Sequence, residues 1–156
     1  MNIYIMRHGQ AEMMASCDSD RSLTFIGREQ SKKMAGYLAD TKVEFDAALV
    51  SPYLRAQQTF TVVSALFPKI KNQQTLKFLT PGGSATKTVA EVMTLQASGV
   101  ESVLIVSHLP LVGYLVAELV PSAGGVSFAT SAVAHIVLDD QGVATLNRLI
   151  DPEQIN

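Results

Sequence analysis

The chain of 156 residues has one cysteine, no tryptophan and three histidines. A lone Cys17 cannot close an internal disulfide, and a fold without such staples suits a reducing compartment, so the expected location is the cytoplasm. Charge of one sign is also lacking. Twelve Lys and Arg stand against 14 Asp and Glu, for a net charge of -2, with no basic cluster. That excludes the electrostatic footprint of a nucleic-acid binder or of a polybasic membrane surface. Long apolar runs are missing as well. The N-terminal run, Ile3 to Met6, stops at Arg7 and His8 without a basic leader, so no export signal is expected. The longest apolar helical candidate, Leu109 to Val120, contains Glu118 and falls short of the roughly 18 residues a bilayer demands. Metal ligands are scarce: three histidines without an HxxxH-type pair, plus one cysteine, argue against a metal centre, and no cofactor is expected. No repeat or low-complexity tract occurs, and the run Thr80 to Ser84 is too short for a linker. With 47% hydrophobic residues and a length near the single-domain prior of roughly 150 residues, one domain over 1–156 is expected.

What the chain does have is three short apolar runs, Ile3 to Met6, Ala47 to Val50 and Val103 to Val106. Each fits a strand buried on both faces, the habit of central parallel strands. Each precedes a helical pattern. After the first, Thr24 reads as an N-cap, with Ile26, Met34, Tyr37 and Leu38 on one face. After the second, Ser51-Pro52 reads as N-cap and first-turn proline, with the helix ending before Pro68. After the third, Pro110 opens and Pro121 closes a helix bearing Leu111, Leu115 and Leu119. A weaker strand near Thr75 to Leu79, a helix from about Ala85 to Gln96, and a hairpin of Val133 to Leu138 with Val143 to Leu149 across Asp139 to Gly142 complete the layout. The pattern predicts an α/β fold, a mostly parallel sheet with an antiparallel edge.

Polar residues gather where those runs end: Arg7-His8-Gly9, then Ser51 and Arg55, then Ser107-His108. In open α/β sheets the carboxyl ends of the strands form the ligand edge, where helix N-termini supply free N–H groups. Two arginines and two histidines converging there imply an anion, and phosphate fits best. Arginine binds phosphoryl oxygens at two points, a neutral histidine is a nucleophile toward phosphorus, and a second histidine can hydrogen-bond the transferring group.

These residues resemble the histidine phosphatase (phosphoglycerate-mutase-like) superfamily, and within it the small SixA-type phosphohistidine phosphatases. Met6 to Gly9 is similar to the RHG signature, Leu23-Thr24 with Gly27 to LTxxG, Ser51 to Thr59 to SPxxRAxQT, and Val106 to His108 with Pro110 to Leu115 to the second-histidine segment. The resemblance implies a three-layer α/β/α sandwich, with His8 as the phosphoryl-accepting nucleophile and Arg7, Arg55 and His108 around the phosphoryl group. It also implies a protein partner carrying phosphohistidine, such as a histidine phosphotransfer domain or a phosphocarrier. Many members place a catalytic glutamate after the third strand, yet no carboxylate occurs between Asp46 and Glu91, and Ala11 stands where many relatives have Ser or Thr. A missing acid favours a leaving imidazole over a leaving alkoxide, because imidazole needs less protonation. With no insertion long enough for a lid, an open site is expected.

Other residues carry weaker expectations. Asp18 and Arg21 are candidates for the substrate-binding rim, and either Glu12 or Asp18 is a candidate proton donor. His135, inside an alternating strand pattern, reads as structural, Cys17 as a loop residue, and Met13 and Met14 as packing residues. Two alternatives stay open: a small-molecule phosphomonoesterase or mutase of the same superfamily, and a phosphate-binding or phosphocarrier module that takes a phosphoryl group on His8 without hydrolysing it.

Overall fold

The computed structural model describes residues 1–156. Its sheet is built from β1 (Asn2–Arg7), β2 (Ala47–Val50), β3 (Asn72–Thr75), β4 (Ser102–Ser107), β5 (Val133–Leu138) and β6 (Ala144–Ile150). The strand order is β3-β2-β4-β1-β5-β6. β1 to β4 run parallel, whereas β5 pairs antiparallel with β1 and β6 with β5, giving the expected antiparallel edge. The helices are α1 (Phe25–Asp40), α2 (Leu54–Ser64), α3 (Ala85–Ala97) and α4 (Leu111–Leu119).

Side-chain alternation along the strands makes two cores. Tyr4, Met6, Ala48, Val50, Leu104 and Val106 point to one face, against Met34 and Leu38 of α1 and Phe60 and Val63 of α2. Ile3, Ile5, Leu49, Val103 and Ile105 point to the other, against Val92 and Leu95 of α3 and Leu115 and Val116 of α4. The protein is therefore a three-layer α/β/α sandwich, and its central strands read as continuous apolar runs because both faces are covered. Truncating a side chain such as Leu104, wholly buried in β4, one of the two central strands, would cost ~3 kcal/mol.

Thr24 caps α1, its side chain accepting from the Gly27 N–H. Several local expectations are corrected. Ser51-Pro52 does not cap α2; the helix begins at Leu54 after Tyr53, and the Ser51 hydroxyl is diverted elsewhere. The strand expected near Thr75 to Leu79 lies earlier, at β3, and Lys77–Leu79 is a 3-10 turn. β3 is a polar, largely exposed edge strand held by its ladder to β2, so hydrophobicity does not announce it. Ile26 is exposed in the first turn of α1 rather than packed with Met34 and Leu38, and Met13 and Met14 project into solvent rather than pack.

Candidate active site

The chain leaves β1 for α1 on one face of the sheet and leaves the adjacent β4 for α4 on the other. Neighbouring strands whose connections part to opposite faces open a crevice at their carboxyl ends. Arg7 pairs with Ser107 in the β1–β4 register, so the next residue of each strand, His8 and His108, lands at that crevice with ring centroids 5.0 Å apart. The crevice is a cleft of about 400 Å³ lined by Arg7, His8, Asp18, Arg21, Arg55 and His108, among others.

His8 is clamped through its backbone. Its N–H donates to the Ser107 carbonyl (3.0 Å), and its carbonyl accepts from the N–H of Ser131, a buried residue in the left-handed region at φ 59°. Gly9 donates to Thr59 Oγ1, which donates to the Arg55 carbonyl on α2, tying the β1 loop to the helix that carries Arg55. The loop also lies against the start of α1. A Cβ at Gly9 would sit 2.5 Å from the Gly27 carbonyl oxygen, and one at Gly27 would overlap the Gln10 carbonyl, so both positions need glycine for this close approach.

The His8 ring is oriented at both nitrogens. Nδ1 lies 2.6 Å from the Gly9 carbonyl, which can only accept, so Nδ1 carries the proton. Nε2 then presents its lone pair and accepts from Arg55 Nε at 3.3 Å. Burial pushes the His8 pKa down to about 4, with the Gly9 carbonyl opposing and Arg55, Arg7 and Arg21 adding to the fall. At neutral pH the ring is uncharged and its outward nitrogen is nucleophilic.

Arg55 is only 3% exposed, and its guanidinium is shared out: Nη1 donates to the Asp18 carbonyl oxygen (2.6 Å) and Nη2 to the Asp18 carboxylate (3.1 Å). Tyr53 stacks its ring face 5.1 Å from the same guanidinium. Arg21 Nε takes the other Asp18 oxygen at 2.9 Å. Slight burial raises the Asp18 pKa, but the hydrogen bonds from Arg21 and Arg55 outweigh it and hold the carboxyl below its usual range. Glu12 is exposed, and its part in this region is a backbone carbonyl that accepts from Arg21 Nη1 (2.9 Å). Arg7 Nη1 donates to the Phe128 carbonyl (2.8 Å), while its Nε is buried with no partner inside the protein. Burial, and Arg55 beside it, lower the Arg7 pKa from its usual value.

His108 is 1% exposed, with Nε2 at 2.7 Å from Ser51 Oγ and Nδ1 buried without a protein partner. Burial drives its pKa down to about 2, with His8 and Arg55 adding to the fall. The crevice thus brings together Arg7, His8, Asp18, Arg21, Arg55 and His108, whereas the side chain of Glu12, the other candidate proton donor, does not line it. Ser51, Thr59 and Ser131 hold them in place: Ser51 is flagged by the sequence at the strand edge but not as a partner of His108, Thr59 stands unremarked inside the SPxxRAxQT segment, and no sequence signal points to Ser131. His135 lies apart from the cleft, stacked on Tyr4 with centroids 4.3 Å apart. No group of three or more His, Cys, Asp or Glu side chains is near enough to hold a metal ion. No helix is long and apolar enough to cross a membrane.

Buried polar atoms left open around a cationic cleft, at the switch point of an α/β/α sandwich and facing an uncharged histidine, define an enzyme built to hold and transfer an oxyanion such as phosphoryl. The chain belongs to the histidine phosphatase superfamily (branch 1), whose family model matches residues 3–97. It is 45% identical over 152 residues to the phosphohistidine phosphatase SixA of Escherichia coli (strain K12), covering 97% of this chain and 94% of that protein. It is 42% identical over 146 residues to a phosphohistidine phosphatase SixA homolog of Haemophilus influenzae, covering 89% of each. A solved structure of the protein histidine phosphatase SixA complexed with tungstate matches it with a TM-score of 0.95 at 44% identity, covering 99% of both chains.

Proposed function

We propose that the protein is a phosphohistidine phosphatase acting on phosphohistidine carried by another protein. Neutral His8 attacks phosphorus through Nε2, in line with the leaving group, its lone pair giving up the long hydrogen bond from Arg55 Nε as the bond to phosphorus forms. The phosphorus–nitrogen bond of the substrate breaks, its imidazole leaves with a proton from solvent, and His8 becomes phosphorylated. Water then attacks the phosphorus, releasing inorganic phosphate and restoring His8. The Gly9 carbonyl facing Nδ1–H stabilises the positive charge that the His8 ring develops during attack. Arg7, Arg55 and His108 hold the equatorial oxygens, and Asp18 and Arg21 form the rim, Asp18 bracing Arg55. No resident metal or cofactor is assigned a step.

The observation that carries the choice of substrate is the state of Asp18. It is the carboxylate lining the cleft, and two guanidinium groups keep it ionised, so it is a poor acid for an alkoxide leaving group. An imidazole departs with less help, and the general acid foregone is worth typically 10²- to 10⁴-fold for an ester. The likeness to proteins named phosphohistidine phosphatase, and to a SixA structure holding tungstate, an oxyanion shaped like phosphate, supports the same reading. The partner we infer is a histidine phosphotransfer domain or a phosphocarrier, and the compartment the cytoplasm, in keeping with the exposed free thiol of Cys17.

The test is kcat/KM for a phosphohistidine protein against phosphoserine protein and phosphoglycerate. A preference on the order of 10² or more is expected. A ratio at or below one would retire this reading for a phosphomonoesterase, and a stable phosphorylated His8 that water does not clear would make the protein a carrier.

A further inference from the structure

Ser51 is wholly buried, and its hydroxyl oxygen meets two groups: the Tyr53 backbone N–H at 3.2 Å and His108 Nε2 at 2.7 Å. The first is a donor, so Ser51 accepts there with one lone pair. The single hydroxyl proton then has one acceptor within reach, the His108 ring nitrogen. Were His108 to carry its proton on Nε2, two buried groups would go unmet, the Ser51 hydroxyl proton and the Nδ1 lone pair. With the proton on Nδ1, Ser51 donates to Nε2 and both atoms of that contact are satisfied. What remains is an N–H on Nδ1, buried and without a protein partner, on a ring that lines the phosphoryl cleft. A buried polar group left unpaired is costly enough to bias the two tautomers by tenfold or more.

We propose that Ser51 is a positioning residue that fixes His108 in its Nδ1–H tautomer, so that an uncharged ring offers a donor rather than a lone pair to a phosphoryl oxygen. A neutral imidazole in the other tautomer would turn an acceptor toward an anion and repel it. Tyr53 serves the same end from the same segment. Its N–H occupies the Ser51 lone pair, and its ring meets the edge of His108 with centroids 5.2 Å apart. Ser51, Tyr53 and Arg55 thus act from alternate positions of one short stretch, which explains why Ser51 is spent on a ring 57 residues away and not on capping α2. The catalytic consequence rests on the phosphatase reading above; the tautomer itself does not.

The experiment is a long-range ¹H–¹⁵N correlation spectrum of the full chain labelled with ¹⁵N-histidine, with His108 assigned through His8→Gln and His135→Gln variants. At neutral pH the wild type should show a protonated Nδ1 and an unprotonated Nε2 for His108. Ser51→Ala should move His108 to a mixture of tautomers and lower kcat/KM for phosphohistidine by about 10- to 100-fold, less than loss of a whole donor. Ser51→Thr, which keeps the hydroxyl, should restore both signals. A wild-type His108 protonated on Nε2 overturns the proposal without any variant having to fold. So does a Ser51→Ala protein that loses activity while His108 stays in the Nδ1–H form, since Ser51 would then act only by packing. The expected spectra from a protein that hydrolyses no phosphohistidine would uphold the tautomer and sink the proposed function instead.

Discussion

Two regions of the molecule hold histidine, half-buried at one and buried at the other, and they treat it in opposite ways. At the antiparallel edge, His135 has both ring nitrogens committed: Nε2 lies 2.8 Å from Asn2 Oδ1, Nδ1 lies 3.0 Å from Asn147 Nδ2, and the ring stacks on Tyr4 with an interplanar angle of 2°. At the parallel crevice, the His8 Nε2 lone pair meets only a long contact from Arg55 Nε (3.3 Å), and His108 Nδ1 has no partner, beside an Arg7 Nε in the same condition. All three histidines are pushed below their ordinary pKa by burial first of all. A shifted pKa therefore does not separate them; what each ring faces does, since His135 meets only side chains of the fold, whereas His108 keeps an unpartnered nitrogen and His8 turns its Nε2 to an arginine of the cleft. A buried polar group that is satisfied contributes to the fold, and one that is left open marks where a ligand completes it.

Substitutions can break that contrast. His8→Ala should reduce turnover of phosphohistidine by about 10⁴-fold or more, since the attacking atom is gone, while circular dichroism stays native. His135→Ala in the same assay should stay within about twofold of wild type; equal losses at the two sites would mean the open and closed histidines do not differ as described. Next in size, His108→Ala and Arg55→Ala should each lower kcat/KM by roughly 10²- to 10³-fold, the usual cost of one preorganised contact to a transition-state oxyanion.

Acid sharpens the contrast further. A nucleophile with a pKa of about 4 stays neutral down to that pH, so kcat/KM should be level from pH 8 to about 5 and fall only as pH drops through 4. An acid limb near 6.5 would show that His8 titrates like an unperturbed imidazole. The same shift has a stability sign. A histidine protonates more readily in the unfolded chain, so the stability it allows is full above about pH 6.5 and is lost as pH falls toward 4. His8→Ala removes that penalty, and the stability difference between pH 7.5 and pH 5 should shrink by ~2 kcal/mol in denaturant titrations. His135→Ala should instead lower stability by ~2 kcal/mol at neutral pH, through two lost hydrogen bonds and a lost stack.

The legible parts of the sequence are those where a single physical demand dominates. β1, β2 and β4 must be apolar on both faces, and so their runs announce them. Arg7, His8, Arg55 and His108 follow those runs or the turns after them, and the rule that ligands sit at the carboxyl edge locates them before any distance is known. β3 is illegible because Asn72 to Thr75 sits at the sheet edge, where ladder hydrogen bonds decide and side chains do not. Ser51 reads locally as a cap because its context permits that role, while its actual partner lies far along the chain. Asp18 could be placed on the rim, but not between Arg21 and Arg55, since no periodicity encodes a loop that folds back on a helix.

The pairing of β1 with β4 and β5 has a consequence for the order of events during synthesis. His8 leaves the ribosome near the beginning, yet the strand that sets His108 beside it follows roughly a hundred residues later, and the segment whose Ser131 holds the His8 carbonyl comes later still. Contacts this distant in sequence are made late and slowly in folding. A nascent chain thus carries His8 without His108 beside it and without the Ser131 contact to its carbonyl through most of its own translation. The crevice is complete only once the closing strands are in place, so a chain cut before β4 should lack the activity proposed above.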